Sequence, residues 1–212
     1  MPLPIFPREI SMKSIVTLLI AITFGIILVA CGTSTKLISR MSQSETTDVF
    51  TEVTAEEPVP AGFADVVIRA SVKTPLEGYY PLEPKESAHG KSDYTFLVNI
   101  DGQAVLWKVA GQKHELPKYV DGKTSRDSEA GEGMKYVLEK KVRIAAGTHS
   151  VFFGLPGEAY YKTTEITVKS GELSIVEFKP TYRYKTIPTR IPTFLRGINN
   201  YEVSLNHIRS QP

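Results

Sequence analysis

From Phe63 onward, apolar and polar residues alternate with a period of two, which is the pattern of half-buried β-strands. Seven segments show this alternation, and turn residues separate them at short spacing. They are Ala64–Val72, Tyr94–Ile100, Gln103–Val109, Lys135–Ile144, Thr148–Leu155, Tyr160–Val168 and Leu173–Phe178. None of the chain after Phe63 shows a convincing amphipathic helix. The pattern therefore predicts an all-β domain, an antiparallel β-sandwich of about seven strands over residues 63–180.

The segment Tyr94–Val109 carries the clearest local signal. Asp101-Gly102 lies between two alternating runs and is the preferred dipeptide of a two-residue type I′ hairpin turn, because both positions need a positive φ. This turn fixes the register, so that Phe96 faces Trp107 across the hairpin. The predicted core face carries Tyr94, Phe96, Val98, Ile100, Val105, Trp107 and Val109. We interpret Trp107 as a packing anchor rather than a ligand platform.

The remaining segments predict further connections. A second hairpin is expected between Tyr160–Val168 and Leu173–Phe178, across the turn residues Lys169–Glu172. Thr74–Ser92 and Ala110–Met134 are predicted loops, and the polar stretch Asp121–Gly133 within the second is predicted to be exposed and mobile. Tyr201–Ile208 is a candidate last edge strand. Its inward residues would be Tyr201, Val203 and Leu205.

The chain before this domain begins with an apolar run. Lys13 precedes Ile15–Ala30, which is apolar apart from two threonines and is shorter than the roughly 20 residues that cross a bilayer. The order of charge and apolar residues is that of a removable signal peptide, here residues 1–30. Met12 is an alternative start of translation, because the residues before it disturb an otherwise normal signal.

The run ends in Leu28-Val29-Ala30-Cys31, which resembles the lipobox of bacterial lipoproteins. The resemblance implies cleavage before Cys31 and acylation of Cys31 by diacylglycerol and an amide-linked chain such as palmitate. Two acyl chains suffice for stable anchoring. Gly32 stands where aspartate would resemble the inner-membrane retention signal of enteric bacteria, so an envelope protein of the outer membrane is expected. The alternative is an uncleaved signal anchor.

Residues 31–62 are rich in serine and threonine and acidic toward their end. This composition predicts a flexible tether, whose end-to-end distance for about 30 residues is roughly 30 Å. The folded domain is then expected to stand clear of the lipid headgroups.

A second resemblance concerns Val142–Lys179, in which Gly147-Thr148-His149 opens a strand and Ser170-Gly171 makes a later turn. The segment is similar to the second half of PEGA-type surface β-domains, although the Pro-Glu-Gly-Ala motif itself is absent. Such domains are non-catalytic, so the resemblance implies a binding or spacing role on an envelope protein.

Charge and cysteine content narrow the function classes. The formal net charge is +2, which gives no reason to expect a nucleic-acid partner. Cys31 is the single cysteine, so the chain has no intramolecular disulfide and no thiolate cluster. The histidines form no zinc motif, and the glycines form neither a phosphate loop nor a hydrolase elbow. No metal or cofactor is expected, and we interpret His149 as a satisfied core or edge histidine.

Two residue sets are candidate contacts for partners. Tyrosines in loops are the candidate ligand platform. The second set is formed by the cations of the proline-rich tail, Lys179 and four residues of the basic segment 181–212. This tail either binds an anionic partner or is an extended segment whose cations lie in water. The tyrosines are Tyr79, Tyr80, Tyr160 and Tyr161, and the cations are Lys179, Arg183, Lys185, Arg190 and Arg196.

Three functions remain open from the sequence. The first is a non-enzymatic envelope lipoprotein that binds an envelope protein or acts as a structural accessory. The second is a carbohydrate-binding module, which needs a flat exposed row of the four tyrosines. The third is a hydrolase, which needs a pocket lined by two or more of His89, His114, Asp121, Asp127 and Glu129.

Overall fold

The computed structural model describes residues 34–54, 57–184 and 192–208. Within these ranges residues 34–41 form a helix, Pro156–Glu158 and Thr193–Arg196 form short 3-10 helices, and the rest is built from eleven strands. The strands are β1 (Phe50–Glu52), β2 (Phe63–Thr74), β3 (Asp93–Ile100), β4 (Gln103–Leu116), β5 (Tyr119–Val120), β6 (Lys123–Thr124), β7 (Gly131–Ala145), β8 (Gly147–Leu155), β9 (Tyr160–Val168), β10 (Leu173–Tyr182) and β11 (Ile198–Ile208).

Nine of these strands form one sheet in the order β11-β10-β2-β7-β4-β3-β8-β9, with β1 added beside β7. All pairs are antiparallel except β2 and β10, which are parallel. The edge strands β9 and β11 touch where the hydroxyl of Tyr160 bonds to Asn200 and Tyr201, so the sheet curls until it is nearly closed. The all-β prediction is confirmed. The antiparallel sandwich is corrected to a single mixed, curled sheet.

The length of β4 explains why two separate layers do not form. Its first half pairs with β3 as far as Ala110, and its second half pairs with β7 from Gly111. The continuous strand β4 therefore joins β3 and β7 into one sheet, whereas a sandwich would place them in two separate sheets. A glycine is needed where β4 changes its partner strand, because a Cβ at position 111 would clash with Cε1 of Tyr136 at 2.6 Å. The predicted loop Ala110–Met134 is thus strand at both of its ends.

The hairpin of β3 and β4 is confirmed in register. Phe96 pairs with Trp107 across it, and both central turn residues have positive φ, 47° for Asp101 and 93° for Gly102. The predicted face points into the core, with Val105 and Val109 half-buried and the other five residues buried. Trp107 is only 5% exposed, in agreement with its interpretation as a packing anchor.

The second predicted hairpin is wrong. β9 pairs with β8, whereas β10 pairs with β2 and β11, on the other side of the sheet. The linking residues 169–172 bond to the start of β2 instead of turning back: Gly171 N donates to Phe63 O at 2.8 Å, and Asp65 N donates to Glu172 O at 3.1 Å. These bonds set β10 parallel to β2.

A small hairpin lies within the predicted loop Ala110–Met134 and overlaps the start of Asp121–Gly133, the part predicted to be mobile. β5 and β6 pair across Asp121-Gly122, whose φ angles are 51° and 71°. The turn has the same dipeptide and the same positive φ angles as Asp101-Gly102.

The inside of the curled sheet is filled by one apolar core. Aromatic rings pack together at its centre: the Phe153 ring stacks on that of Phe178 with centroids 4.3 Å apart and meets that of Tyr201 edge to face at 5.0 Å. The alternation along Lys135–Ile144 predicts one inward face on β7, and its residues Tyr136, Leu138, Val142 and Ile144 are all buried. Tyr201, a predicted inward residue of the edge strand β11, is also buried, and Val203 and Leu205 are half-buried. The largest buried aromatic side chains are Tyr94, Tyr136, Tyr201, Phe96, Phe153, Phe178 and Phe194.

Residues 34–54 differ from the solvated tether predicted for them. Ile38 in the helix at 34–41 packs on Leu97 and Phe152, on the outer face of the sheet. β1 pairs with β7, and the amide of Gln103 accepts from Phe50 N at 3.0 Å and donates to Phe50 O at 2.9 Å. The indole of Trp107 donates to Glu52 at 2.6 Å. This stretch is therefore part of the folded domain.

The sheet has two unlike ends. The turn end carries the short connections at Asp101-Gly102, residue 146 and residues 169–172. The loop end carries the longer connections at residues 75–92, 117–130 and 156–159, together with the 3-10 helix Thr193–Arg196. In the described ranges, no helix has the length and apolar character needed to cross a bilayer. The predicted signal and Cys31 lie outside the described residues.

Candidate functional site

The loop end contains a partly open cavity of about 190 Å³. Segments far apart in sequence meet around it, because β2, β8 and β10 all end here while β3, β9 and β11 begin here. Charged and aromatic side chains make up part of its wall, among them Lys73, Tyr80, His89, Glu158, Phe194 and Arg196.

His89 is held between two carboxylates, an arrangement that we call the His89 clamp (Glu83, His89 and Glu158). Nε2 of His89 lies 2.9 Å from Oε1 of Glu158, and Nδ1 contacts Oε1 of Glu83. Burial opposes the charged imidazole, but the Glu158 and Glu83 carboxylates outweigh it and raise the pKa of His89 above its ordinary value. The hydrogen bond between His89 and Glu158 therefore joins the loop at 75–92 to the connection between β8 and β9, and it is charge-assisted. Glu83 lies in the same loop as His89 and pairs with its imidazole by charge.

A second polar cluster surrounds Lys73, whose side chain is buried at the end of β2. Its ammonium donates to the backbone oxygens of Glu129 and Gly131, both at 2.7 Å, and lies 4.7 Å from the centre of the Phe194 ring. Nδ1 of His114 is 3.3 Å from the same nitrogen. Burial lowers the pKa of Lys73, with the nearby Glu129 carboxylate acting in the opposite direction.

The carboxylate of Glu129 extends this cluster. It accepts a hydrogen bond from the Tyr182 hydroxyl at 3.0 Å, and its Oε2 lies 2.6 Å from Nζ of Lys135. Burial raises the pKa of Tyr182, which keeps its hydroxyl protonated as a donor. Gly133 leaves room for the cluster, because a Cβ there would lie 2.8 Å from the Lys73 side chain. Polar groups of this cluster are bonded to one another, so its evident effect is to hold residues 129–131 on the sheet.

The four candidate tyrosines fall into two pairs. The rings of Tyr79 and Tyr80 cross at 86° with centroids 5.0 Å apart, and the Tyr80 hydroxyl donates to Leu195 O. Tyr160 is half-buried and bonds across the closing edge of the sheet, while Tyr161 stacks on Phe152 at 5.3 Å. The crossed rings of the first pair do not form a flat row with each other. Contact of any of the four with a ligand stays a prediction.

The candidate cations are only partly described. Arg196 lines the cavity, and Arg183 lies at the loop end, where its Nε donates to Ile198 O at 3.2 Å. Lys179 is exposed on β10 and faces Glu202 of β11 in register. Lys185 and Arg190 lie outside the described residues.

The five residues of the hydrolase hypothesis do not share this cavity. His89 lines it, His114 and Glu129 belong to the Lys73 cluster, and Asp121 and Asp127 are exposed. In the described part of the chain, no group of three or more His, Asp or Glu side chains is arranged to hold a metal ion. His149 is a satisfied histidine as predicted, because Nδ1 bonds to Asp101 at 2.6 Å and Nε2 to Ala145 O at 2.8 Å.

Lys73, Glu83 and Glu158 were not predicted from the sequence. Lys73 occupies a position of β2 whose side chain is expected to point outward, so the alternation of apolar residues does not indicate that it is buried. Glu83 and Glu158 are acidic residues in polar connections, and 69 positions separate Glu158 from His89. Nothing local to either residue indicates the pairing.

A scan against protein-family models, a search of curated proteins and a search of solved structures each found no match for this chain. The lipobox and the PEGA-like pattern therefore remain resemblances.

Proposed function

We propose that this protein is a bacterial envelope lipoprotein, anchored by acylated Cys31, whose β-domain has a non-catalytic binding or accessory role. One observation carries the proposal. An apolar run ends in Leu28-Val29-Ala30-Cys31, and a folded β-domain begins at residue 34, directly behind it. That order is typical of an exported domain held on a membrane by its first residue. By the identity of Gly32, the outer membrane is the proposed location.

Acyl labelling in a two-membrane bacterial host tests the anchor. Wild-type protein is expected to incorporate labelled fatty acid and to fractionate with the outer membrane, and the Cys31→Ser variant is expected to lose both properties. The Gly32→Asp variant is the matched control, since it should keep the label and shift to the inner membrane. Unchanged labelling of the Cys31→Ser variant would contradict the proposal.

The binding role rests on the resemblance to PEGA-type domains, which are non-catalytic modules of envelope proteins. Crosslinking in intact cells followed by pull-down should recover a protein or polysaccharide of the envelope together with the domain. Recovery of the domain alone would count against a binding role and leave the anchor in place.

Carbohydrate binding is the second candidate, and the exposed Tyr79 favours it, with 49% of its surface accessible. Aromatic rings bind the apolar faces of sugars, but the crossed rings of Tyr79 and Tyr80 offer one surface at a time. Retention of the protein on envelope polysaccharide, lost in the Tyr79→Ala variant and kept in Tyr184→Ala, would support this candidate. Equal retention of both variants would argue against it.

A further inference from the structure

The helix at residues 34–41 is fixed on the outer face of the sheet. Ile38 is 5% exposed and forms a small apolar cluster with the buried Leu97 and Phe152. The Asn99 side chain donates to Met41 O at 2.9 Å, just after the cluster along the chain. The start of the folded domain therefore has a defined position on β3.

The contacts also give the direction of this segment. Ile38 lies at Leu97, Met41 lies at Asn99, and Thr46 reaches the turn, where its N donates to Gly102 O at 3.3 Å. Followed backwards, the chain thus leaves the turn end and runs toward the loop end. Residue 34 is the point of the described segment that lies nearest to the loop end.

The reach of Cys31 follows from standard geometry. A helix rises about 1.5 Å per residue, so residue 34 lies about 6 Å beyond Ile38 toward the loop end. β3 rises about 3.4 Å per residue, which puts Asp93 and Asp101 each about 14 Å from Leu97, in opposite directions. Residue 34 is then about 8 Å from the level of Asp93 and about 20 Å from that of Asp101.

Two residues lie between the lipidation site and the start of the helix, and the three Cα–Cα steps from residue 31 to residue 34 span at most about 11 Å. Cys31 therefore reaches the level of the loop end but not that of the turn end. The predicted clearance of roughly 30 Å for a flexible tether does not apply, because the tether would have to be free up to residue 62.

The loop end carries an exposed apolar tip. Leu82 is 97% exposed between Pro81 and Pro84, and the neighbouring Tyr79 is 49% exposed. A fully exposed leucine in water loses the hydrophobic stabilisation that burial in a lipid surface would give. Tyrosine is enriched at the headgroup level of membranes, because its ring is apolar and its hydroxyl is polar.

The tip is also held in place before any contact with lipid. The prolines restrict its backbone, and the loop is fixed on either side of Leu82 by the bond from Tyr80 to Leu195 and by the His89 clamp. Little conformational entropy is therefore lost when it meets a surface.

We propose that the loop end lies against the lipid bilayer, with Leu82 inserted among the headgroups and acylated Cys31 holding that end down. This inference rests on the proposed function, because it requires the acyl anchor. The turn end then points away from the membrane, and the surface that meets other envelope components is the outer face and the turn end.

Spin labelling of the acylated full-length protein tests the orientation. Since acylation occupies the thiol of Cys31, a cysteine introduced by Leu82→Cys is the single site for a nitroxide label. The matched control is Lys169→Cys, an exposed position at the turn end. Each labelled protein is reconstituted in vesicles of phosphatidylethanolamine and phosphatidylglycerol, and accessibility to oxygen and to a water-soluble relaxant is measured.

The proposal predicts a label at position 82 that is accessible to oxygen and shielded from the water-soluble relaxant, and a label at position 169 with the reverse behaviour. If the labels at both positions are accessible to the water-soluble relaxant while the protein is acylated and bound to vesicles, the docking of the loop end is wrong and the acyl anchor still holds. A lipid-exposed label at position 169 would overturn the orientation. A second nitroxide, on Cys31, would contradict the proposed function itself.

A stability measurement accompanies the test. Because the Leu82 side chain is exposed, the Leu82→Ser variant should unfold at the temperature of the wild type. Its unacylated form should bind the same vesicles about tenfold more weakly than unacylated wild type. Equal binding of the two would contradict the insertion of Leu82.

Discussion

The two ends of the sheet are built in different ways. At the turn end, residues close in sequence or paired on neighbouring strands satisfy one another: Asp101 bonds to Ser150 N at 2.8 Å, and Asp65 pairs with Arg143 at 2.7 Å. At the loop end, contacts join segments far apart in the chain, as His89 does with Glu158. Leu82 and Tyr79 remain exposed there.

The two ends therefore contribute to different properties, the turn end to the stability of the domain and the loop end to an exposed surface. The turn end closes the core with short turns, so changes there should lower the free energy of unfolding of the whole domain. The loop end holds a preformed surface, so changes there should act on local order or on binding. The predictions below compare matched positions at the two ends.

The largest effect is expected at Asp65, which is buried at the turn end and lies 2.7 Å from Arg143 and 2.9 Å from Lys141. Asp65→Ala leaves both cations without their buried partner and should lower the free energy of unfolding by about 2 to 3 kcal/mol. Glu139→Ala removes the exposed pair with Arg69 and should cost at most about 0.5 kcal/mol. Urea unfolding of both variants measures the difference.

The same residue predicts a pH dependence. Burial would raise the pKa of Asp65, but its bonds to Arg143 and Lys141 outweigh burial and lower it below its ordinary value. Its contribution to stability is therefore fully present above the pKa of an unfolded aspartate, about 3.9, and is lost as the pH falls through the lowered folded-state value. The gap between wild type and Asp65→Ala should narrow in acid. A constant gap would contradict this explanation.

The two Asp-Gly turns give an intermediate effect. A Cβ on Gly102 would lie 3.0 Å from the Thr46 side chain, whereas Gly122 has open space within 4 Å, and both have positive φ. Gly102→Ala should cost about 1 to 2 kcal/mol, because the turn lies within the folded sheet. Gly122→Ala should leave the global unfolding transition unchanged, because β5 and β6 form a separate two-stranded hairpin. An equal loss of unfolding free energy in both variants would contradict the proposed difference between the two ends.

A smaller and local effect is expected for the His89 clamp. Since the folded-state pKa of His89 is raised, the clamp stabilises the loop fully below the unfolded pKa of about 6.5 and weakens as the pH rises through the raised value. His89→Gln should cost about 1 kcal/mol and remove this pH dependence. Hydrogen exchange at residues 75–92, measured across the pH range and corrected for intrinsic rates, tests it. Loop protection that does not respond to pH in the wild type would refute the role of the charged imidazole.

The smallest effect on stability is expected for Leu82. Truncation to alanine should leave the free energy of unfolding within about 0.5 kcal/mol of wild type, because the side chain contacts water. Leu97→Ala is the matched change at a buried leucine and should cost about 3 kcal/mol and release the helix at residues 34–41. A large loss at Leu82 would mean that the tip belongs to the core.

The comparison also explains what the sequence predicted well. The register of β3 and β4 followed from Asp101-Gly102, because turn chemistry and the alternation of apolar residues act over a few positions. The alternation assigned Tyr136, Leu138 and Val142 to the core for the same reason. Asp121-Gly122 carried the same signal but stood in a polar stretch, and composition outweighed it in the prediction of a loop.

Pairing between distant strands was not predictable in this way. Alternation shows which face of β10 is buried, but not that its neighbour is β2 rather than β9. The helix at residues 34–41 left a weak signal in Leu37, Ile38 and Met41, whose spacing is helical, within a stretch of otherwise polar composition. The His89 clamp and the Lys73 cluster left none, since their partners lie far along the chain.

The central claim is that the mature chain begins at an acylated Cys31, three residues before the docked helix. Intact-mass measurement of the protein extracted from membranes tests it most directly. We predict a chain that starts at residue 31 and carries the added mass of a diacylglyceryl group and an amide-linked acyl chain. A mass that includes residues 12–30 with an unmodified thiol would contradict the anchor and the orientation inferred from it.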